Sequence, residues 1–309
     1  AQKSHSGRTK MGETANKHLW ADHPGYPPKV ALVFNPVAGN YCPNKLKRLR
    51  KSFEDEQFAV HCYDSRSFQL QSLASDVDLV CVSGGDGTVR TALRNHETID
   101  TDTAYCVYPS GTINLLAREA GYRKSVSRFV HDLARRKIGS QHYSGRIGKE
   151  IFLCCASIGP DSHVVASVSP WLKKYVGQLA YGAATARLLW EWPRHWFDLN
   201  VDGVSHGAEA IFVLKGRFYA GPWVLDERAG LGNAQFRLLL LPRARRRDCL
   251  RLALFALFGP AFEDSSWTRL DARTVEITGP AGIPIQADGD IVARTPAMIT
   301  IDARSMTFL

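Results

Sequence analysis

Three short runs of small residues carry the chemistry available to this chain. Ser83-Gly84-Gly85-Asp86-Gly87-Thr88 follows the apolar Leu79-Val80-Cys81-Val82 and precedes Val89-Arg90-Thr91-Ala92-Leu93, which reads as the start of a helix. Asn35-Pro36-Val37-Ala38-Gly39 ends the strand-like run that begins at Lys29, and Pro109-Ser110-Gly111-Thr112 ends Tyr105-Cys106-Val107-Tyr108. A buried strand that stops at glycines and turns into a helix brings backbone N–H groups close to an anion. The six-residue run is therefore read as a phosphate cradle rather than a plain turn before a helix. It is not a P-loop, because no Gly-Lys-Ser/Thr follows. Asp86 puts a carboxylate where a polyphosphate would sit, which makes chemical sense only with a cation or a proton donor beside it.

The elements that must position these turns are visible in the periodicity. Leu46, Leu49 and Phe53 recur at helical spacing, as do Ile113, Leu116, Ala117 and Ala120, and a further helix is expected over 126–136. With a second short strand at 58–63, strands alternate with helices. This predicts a parallel α/β sheet over residues 29–136 that binds its ligand at the carboxyl ends of the strands. Residues 1–28 read as a flexible leader. Over 137–309 the texture changes to short β-type runs at 151–156, 196–201, 210–214, 236–241, 275–278, 283–287 and 298–301, interrupted by one helix at 171–190. That pattern predicts a second, mostly antiparallel domain, a β-sandwich.

Composition bounds the partners. With 309 residues, 45% hydrophobic and 22% charged, the chain has an ordinary globular make-up and room for two domains. Its seven cysteines form no C-x-x-C pair, and several lie in strand-like runs. No disulfide framework or zinc signature is visible, and a cytoplasmic location is expected. The net charge of +9 suggests an anionic partner, a nucleotide or an anionic membrane. No nucleic-acid module is present. No apolar run approaches the roughly 20 residues of a membrane span, and the polar start has no apolar signal core. Arg243, Arg245, Arg246, Arg247 and Arg251 precede the apolar run from Leu252 to Phe258. A basic cluster beside such a run suits the surface of an anionic membrane, and suits equally a core helix with a charged start. The histidines show no ligand spacing, and no catalytic triad pattern occurs.

With these residues in view, the sequence resembles the bacterial diacylglycerol kinase and wider lipid kinase family, from about residue 29 to the end. The resemblance rests on Asn35-Pro36-x-x-Gly39, Gly84-Gly85-Asp86-Gly87-Thr88 and Pro109-Ser110-Gly111-Thr112-Ile113-Asn114-Leu115-Leu116-Ala117-Arg118, with later matches at Gly159-x-Asp161 and Asp288-Gly289-Asp290. Gly-Gly-Asp-Gly alone is also found in NAD kinases and phosphofructokinases. The resemblance implies ATP-dependent transfer of the γ-phosphoryl group to a lipid hydroxyl, in a cleft between an α/β domain and a β-sandwich. It implies that Gly84, Gly85, Gly87, Thr88, Gly111 and Thr112 cradle phosphates, and that Asn35, Gly39 and Asn114 line the nucleotide site. Asp86 and Asp161 would belong to the carboxylate network around Mg²⁺. Asp290 would be the base, and the enzyme would work as a peripheral protein on the inner membrane face.

This chain departs from the family pattern at several positions. Asp290 stands where a glutamate is usual, and Leu115 where many relatives have aspartate. Asn233-Ala234 replaces the Asp-Gly of a loop that often binds a structural Mg²⁺, and Lys215-Gly216 replaces an Asn-Gly. Asn40-Tyr41 follows Gly39 in place of the usual glycines. The acceptor is read as diacylglycerol, with a sphingoid base or ceramide as the alternative. A non-catalytic nucleotide- or lipid-binding relative, and a soluble-substrate kinase of the NAD kinase type, are the readings from other classes.

Overall fold

The structure, a computed structural model, describes residues 27–38, 40–73, 76–98, 103–136, 138–167 and 193–309. The expected helix at 171–190, Gly39 and nearly all of the expected leader lie outside the described residues.

The chain opens with β1 (Lys29–Phe34), α1 (Pro43–Asp55), β2 (Ala59–Asp64), β3 (Leu79–Gly84), α2 (Asp86–Ala92), β4 (Ala104–Pro109), α3 (Leu115–Glu119) and α4 (Val126–Ala134). These strands pair in parallel in the order β2-β1-β3-β4. Val30, Leu32, Leu79, Cys81 and Cys106 face Leu49 and Phe53 of α1 and Phe129, Val130 and Leu133 of α4 in one buried cluster. Because β1, β3 and β4 are buried, they read as continuous apolar runs rather than alternating ones, while the edge strand β2 is partly exposed.

The chain continues through β5 (Ser140–Ile147), β6 (Glu150–Phe152), β7 (Cys155–Ile158), α5 (Pro160–Ser167), β8 (Phe197–Val201), β9 (Val204–Ala208) and β10 (Ala210–Leu214). There follow the short pair β11 (Phe218–Tyr219) and β12 (Trp223–Val224), then β13 (Phe236–Leu241) and α6 (Arg246–Phe258). The chain closes with β14 (Thr268–Ala272), β15 (Thr274–Thr278), β16 (Pro284–Ala287), β17 (Asp290–Arg294) and β18 (Ala297–Phe308). A six-stranded antiparallel sheet runs β14-β13-β10-β7-β16-β17. It shares a core with β5, β6, β8, β15 and β18: Phe152, Phe197, Leu199, Ile211, Phe236, Val275, Ile285 and Ile299 form one buried cluster. The α/β sheet followed by an antiparallel sandwich is the expected architecture.

Among the differences from the sequence reading, two concern expected strands. The 298–301 run extends to Phe308, and β18 serves both halves. Its first part pairs with β15, and its end pairs in parallel with β4 through Thr307↔Ala104 and Phe308↔Tyr105. Leu309 then packs in the α/β core, so the last residues cross back over the boundary drawn at 137. The second difference is at 151–156, which is not one strand. It breaks at Leu153 and Cys154, whose N–H groups, with that of Cys155, turn to the Asp288 carboxylate at 2.7, 2.9 and 3.0 Å. A charged acceptor outcompetes the ladder there, because three charge-assisted bonds hold a buried carboxylate better than a strand would leave it.

Candidate active site

The three turns come together at the carboxyl ends of β1, β3 and β4. Asn35 donates from Nδ2 to Thr88 Oγ1 at 3.0 Å and accepts the Val37 N–H at its Oδ1. Asn40, in the first turn, donates to the Gly111 carbonyl at 3.1 Å. The other two turns meet glycine on glycine. A Cβ on Gly111 would fall 2.3 Å from the Gly85 Cα, and one on Gly85 would fall 3.0 Å from the Gly111 Cα. Ser110 N–H donates to the Gly84 carbonyl at 3.2 Å. Asn114 takes the left-handed conformation (φ 57, ψ 57) and closes on Gly111 from both sides, accepting its N–H at 2.7 Å and donating to its carbonyl at 2.8 Å. Asparagine tolerates that backbone because its side chain can make such local bonds. Thr112 is exposed at the lip of the turn.

Asp86 is tied into the scaffold. Its carboxylate accepts the N–H groups of Leu115 and Leu116 at 2.9 and 3.1 Å, so it caps α3 from the neighbouring turn. Burial pushes its carboxyl up, against the pull of those two N–H groups. The Asp288 carboxyl is raised to about 6, first by burial and then by the charge of Asp86, while its three N–H bonds oppose the shift. Asp161 Oδ2 accepts the hydroxyls of Ser157 and Tyr219, and burial pushes this group up as well. Its Oδ1 is buried with no hydrogen-bond partner. Among the described residues, no three His, Cys, Asp or Glu side chains converge as a ligand cluster. Mg²⁺ fits such a site only in the manner usual for phosphoryl transfer, on one or two carboxylates plus substrate phosphates, and the Asp161 Oδ1 is an acceptor without a donor.

Turning one Asp86 carboxylate oxygen into an NH₂ leaves one of the two α3 N–H groups without its acceptor and should loosen the second and third turns together. Asp86→Asn is expected to lower unfolding stability by about 2 kcal/mol, the cost of a buried donor left unsatisfied, and to weaken nucleotide binding with it. Urea unfolding checks this; a change under about 0.5 kcal/mol would remove the carboxylate from the scaffold.

Asp290 lies across from the glycine turn. A Cβ on Gly87 would fall 2.5 Å from Asp290 Oδ2, so only glycine admits the carboxylate at this distance. The half-buried Asp290 is gripped by Arg90, whose Nη2 donates to its Oδ2 at 3.1 Å while Nη1 donates to Glu150 at 3.0 Å. Arg94 braces Glu150 from the other side at 2.7 Å. Arg90 itself is buried. Asp86 and Asp290, 204 positions apart in the chain, are thus brought to one short helix: α2 carries the first at its start and presents Gly87 and Arg90 to the second.

With this geometry in place, two family descriptions match. "Diacylglycerol kinase catalytic domain" covers residues 29–142, and "YegS C-terminal NAD kinase beta sandwich-like domain" covers residues 155–309. The chain belongs to the diacylglycerol kinase-like lipid kinase family. Within it, the chain is 22% identical over 277 residues to a diacylglycerol kinase of Bacillus subtilis, covering 87% of this chain and 91% of that one. It is 26% identical over 230 residues to a protein named "Probable lipid kinase YegS-like" from Pseudomonas putida, covering 74% and 75%. A crystal structure of a diacylglycerol kinase from Bacillus anthracis superposes with a TM-score of 0.71 at 17% identity, covering 91% of this chain and 96% of that one. At that identity the likeness speaks for the fold.

Against the family pattern, the residues that sequence reasoning passed over are Arg90, Glu150 and Asn40. Arg90 carried a signal: it stands four positions after Asp86 and so on the same face of α2. Glu150 carried none, because its pairing with Arg90 spans 60 positions. The loop near Asn233 does not suit the second, structural magnesium of the family pattern. The Lys215 ammonium donates to the Asn233 carbonyl. The Asn233 amide donates to the Arg228 carbonyl at 3.1 Å. A divalent ion about 4 Å from that ammonium would meet a repulsion of about 8 kcal/mol at an effective dielectric of about 20.

Proposed function

We propose that this chain transfers the γ-phosphoryl group of ATP to the hydroxyl of a membrane lipid, with diacylglycerol as the acceptor and phosphatidate as the product. The observation that carries this reading is the Asp290 carboxylate against Gly87, at the rim of the crossed glycine turns. Phosphoryl transfer asks a protein for position and charge compensation more than for covalent chemistry. The turns at 84–88 and 111–112 cradle the triphosphate at the start of α2, with Asn35, Asn40 and Asn114 fixing their shape; the Gly111 N–H is held by Asn114 and serves the turn itself. Asp161 and Asp86 are the residues that would hold Mg²⁺, which neutralises charge on the phosphates. Asp290, steadied by Arg90, takes the proton from the attacking lipid hydroxyl. The shorter carboxylate at 290 is met by the arginine reaching to it from α2.

The acceptor arrives in a bilayer, and α6 offers a face for one. Phe255 packs inward, edge-on to Trp267 with ring centroids 5.6 Å apart. Leu250, Leu257 and Phe258 remain 62%, 53% and 67% exposed, at helical spacing along the outer face. Arg243, Arg246 and Arg247 are exposed at the start of the same segment. An apolar face beside arginines suits the interface of an anionic membrane, each cation contributing about 1 kcal/mol. No helix among the described residues is long and apolar enough to cross a membrane.

Labelled ATP with vesicles containing diacylglycerol, sphingosine or ceramide tests the reading. Labelled phosphatidate supports it, and a labelled sphingolipid moves the acceptor to the alternative. Nucleotide binding with every lipid unlabelled would leave a non-catalytic relative. On vesicles rich in phosphatidylglycerol, the double variant L257S/F258S is expected to lose at least about tenfold in turnover with ATP affinity unchanged; equal turnover would place the membrane contact elsewhere.

A further inference from the structure

Lys215 follows the last residue of β10 and is fully excluded from solvent. Buried lysine is rare unless paired, and among the described residues no carboxylate lies within salt-bridge distance of this one. Its ammonium instead donates to the Asn233 carbonyl, lies 3.5 Å from the Gln235 carbonyl, and sits 5.9 Å from the centroid of the Tyr143 ring. Two backbone oxygens and an aromatic face form a cation site made without a single acid. The stem is fixed as well: the N–H groups of Lys215 and Gly216 both donate to the Cys154 carbonyl, at 2.8 and 2.9 Å. The loop on the other side is tied down at Leu231, whose carbonyl accepts the Tyr143 N–H at 2.9 Å, and at Asn233, whose N–H donates to Gly230 at 3.0 Å.

We propose that the Lys215 ammonium is a tethered cation that holds the 230–235 loop against β5 and takes the place of a divalent metal ion there, so that this half of the molecule keeps its order without a structural metal. The same carbonyls cannot serve both charges, and the covalently attached one is present at a fixed effective concentration. Burial lowers the lysine to about 8, which leaves it charged at neutral pH. The proposal does not rest on the kinase reading, since it concerns the order of the 230–235 loop and not turnover.

Amide hydrogen exchange and thermal unfolding of the full chain, without nucleotide, test it. In the wild-type protein, excess EDTA or millimolar Mg²⁺ is expected to leave exchange at 228–236 and the unfolding midpoint unchanged. Lys215→Met keeps the volume and removes the charge, and it is expected to speed exchange at 228–236 by at least about tenfold, with no recovery on adding Mg²⁺. Slower exchange at those amides in wild-type protein on adding Mg²⁺ would overturn the proposal, as would unchanged exchange in Lys215→Met. If Lys215→Met does not fold, the comparison of EDTA with Mg²⁺ on the wild-type loop still decides.

Discussion

Asp290→Asn is expected to cut lipid phosphorylation by at least about a hundredfold, or about 2.7 kcal/mol in barrier, at unchanged ATP affinity and unchanged stability. An amide cannot take the proton from the acceptor hydroxyl. It can keep the fold: its oxygen still accepts from Arg90, and the side chain is 38% exposed rather than filling the core. The measurement is a steady-state rate on diacylglycerol vesicles beside an isotherm for ATP. A rate within about threefold of wild type would mean that the base lies elsewhere. A drop in ATP affinity of the same size would mean that Asp290 serves the nucleotide instead.

Gly111→Ala should be as costly for a different reason. The added methyl would lie 2.3 Å from the Gly85 Cα and 2.8 Å from Asn114 Oδ1. The first of these is backbone, so no side-chain rotation relieves it, and the turns after β3 and β4 must part. Displacing reacting groups by about 1 Å costs on the order of a hundredfold in rate. Here nucleotide affinity should fall with it, because both turns face the phosphates in the proposed reading. Titration calorimetry with ATP checks the binding, and the vesicle assay checks turnover. An alanine variant with wild-type affinity would show that the contact of the two turns does not shape the site.

Much of the architecture was legible because local rules and tertiary demands agree. Strands β1, β3 and β4 are largely apolar, and each runs into small residues, so both their burial and the meeting of their carboxyl ends could be read directly. Short strands with polar faces were harder. Ser140–Ile147 has little apolar pattern, yet it forms β5 because β18 and β6 flank it on both sides. The 151–156 run looked continuous because a sequence does not show that the Asp288 carboxylate takes its middle N–H groups. At α6 the sequence left core and membrane readings level, and the helix packs by one side only: Phe255 is buried while Leu257 and Phe258 are exposed.

The sequence by itself determined which residues are small enough to let backbone approach an anion, and where carboxylates stand along the chain. Those properties belong to single residues and to neighbours within one turn. What only the tertiary structure decided is what each charge faces. Asp86 caps a helix 29 positions on, Arg90 reaches Asp290 across 200 positions, and Lys215 meets carbonyls in a loop formed by residues 18 and 20 positions away. Charges act through space over a few ångströms and through whatever medium lies between. Their partners are therefore set by which distant segments the fold brings together, which no local pattern of residues encodes.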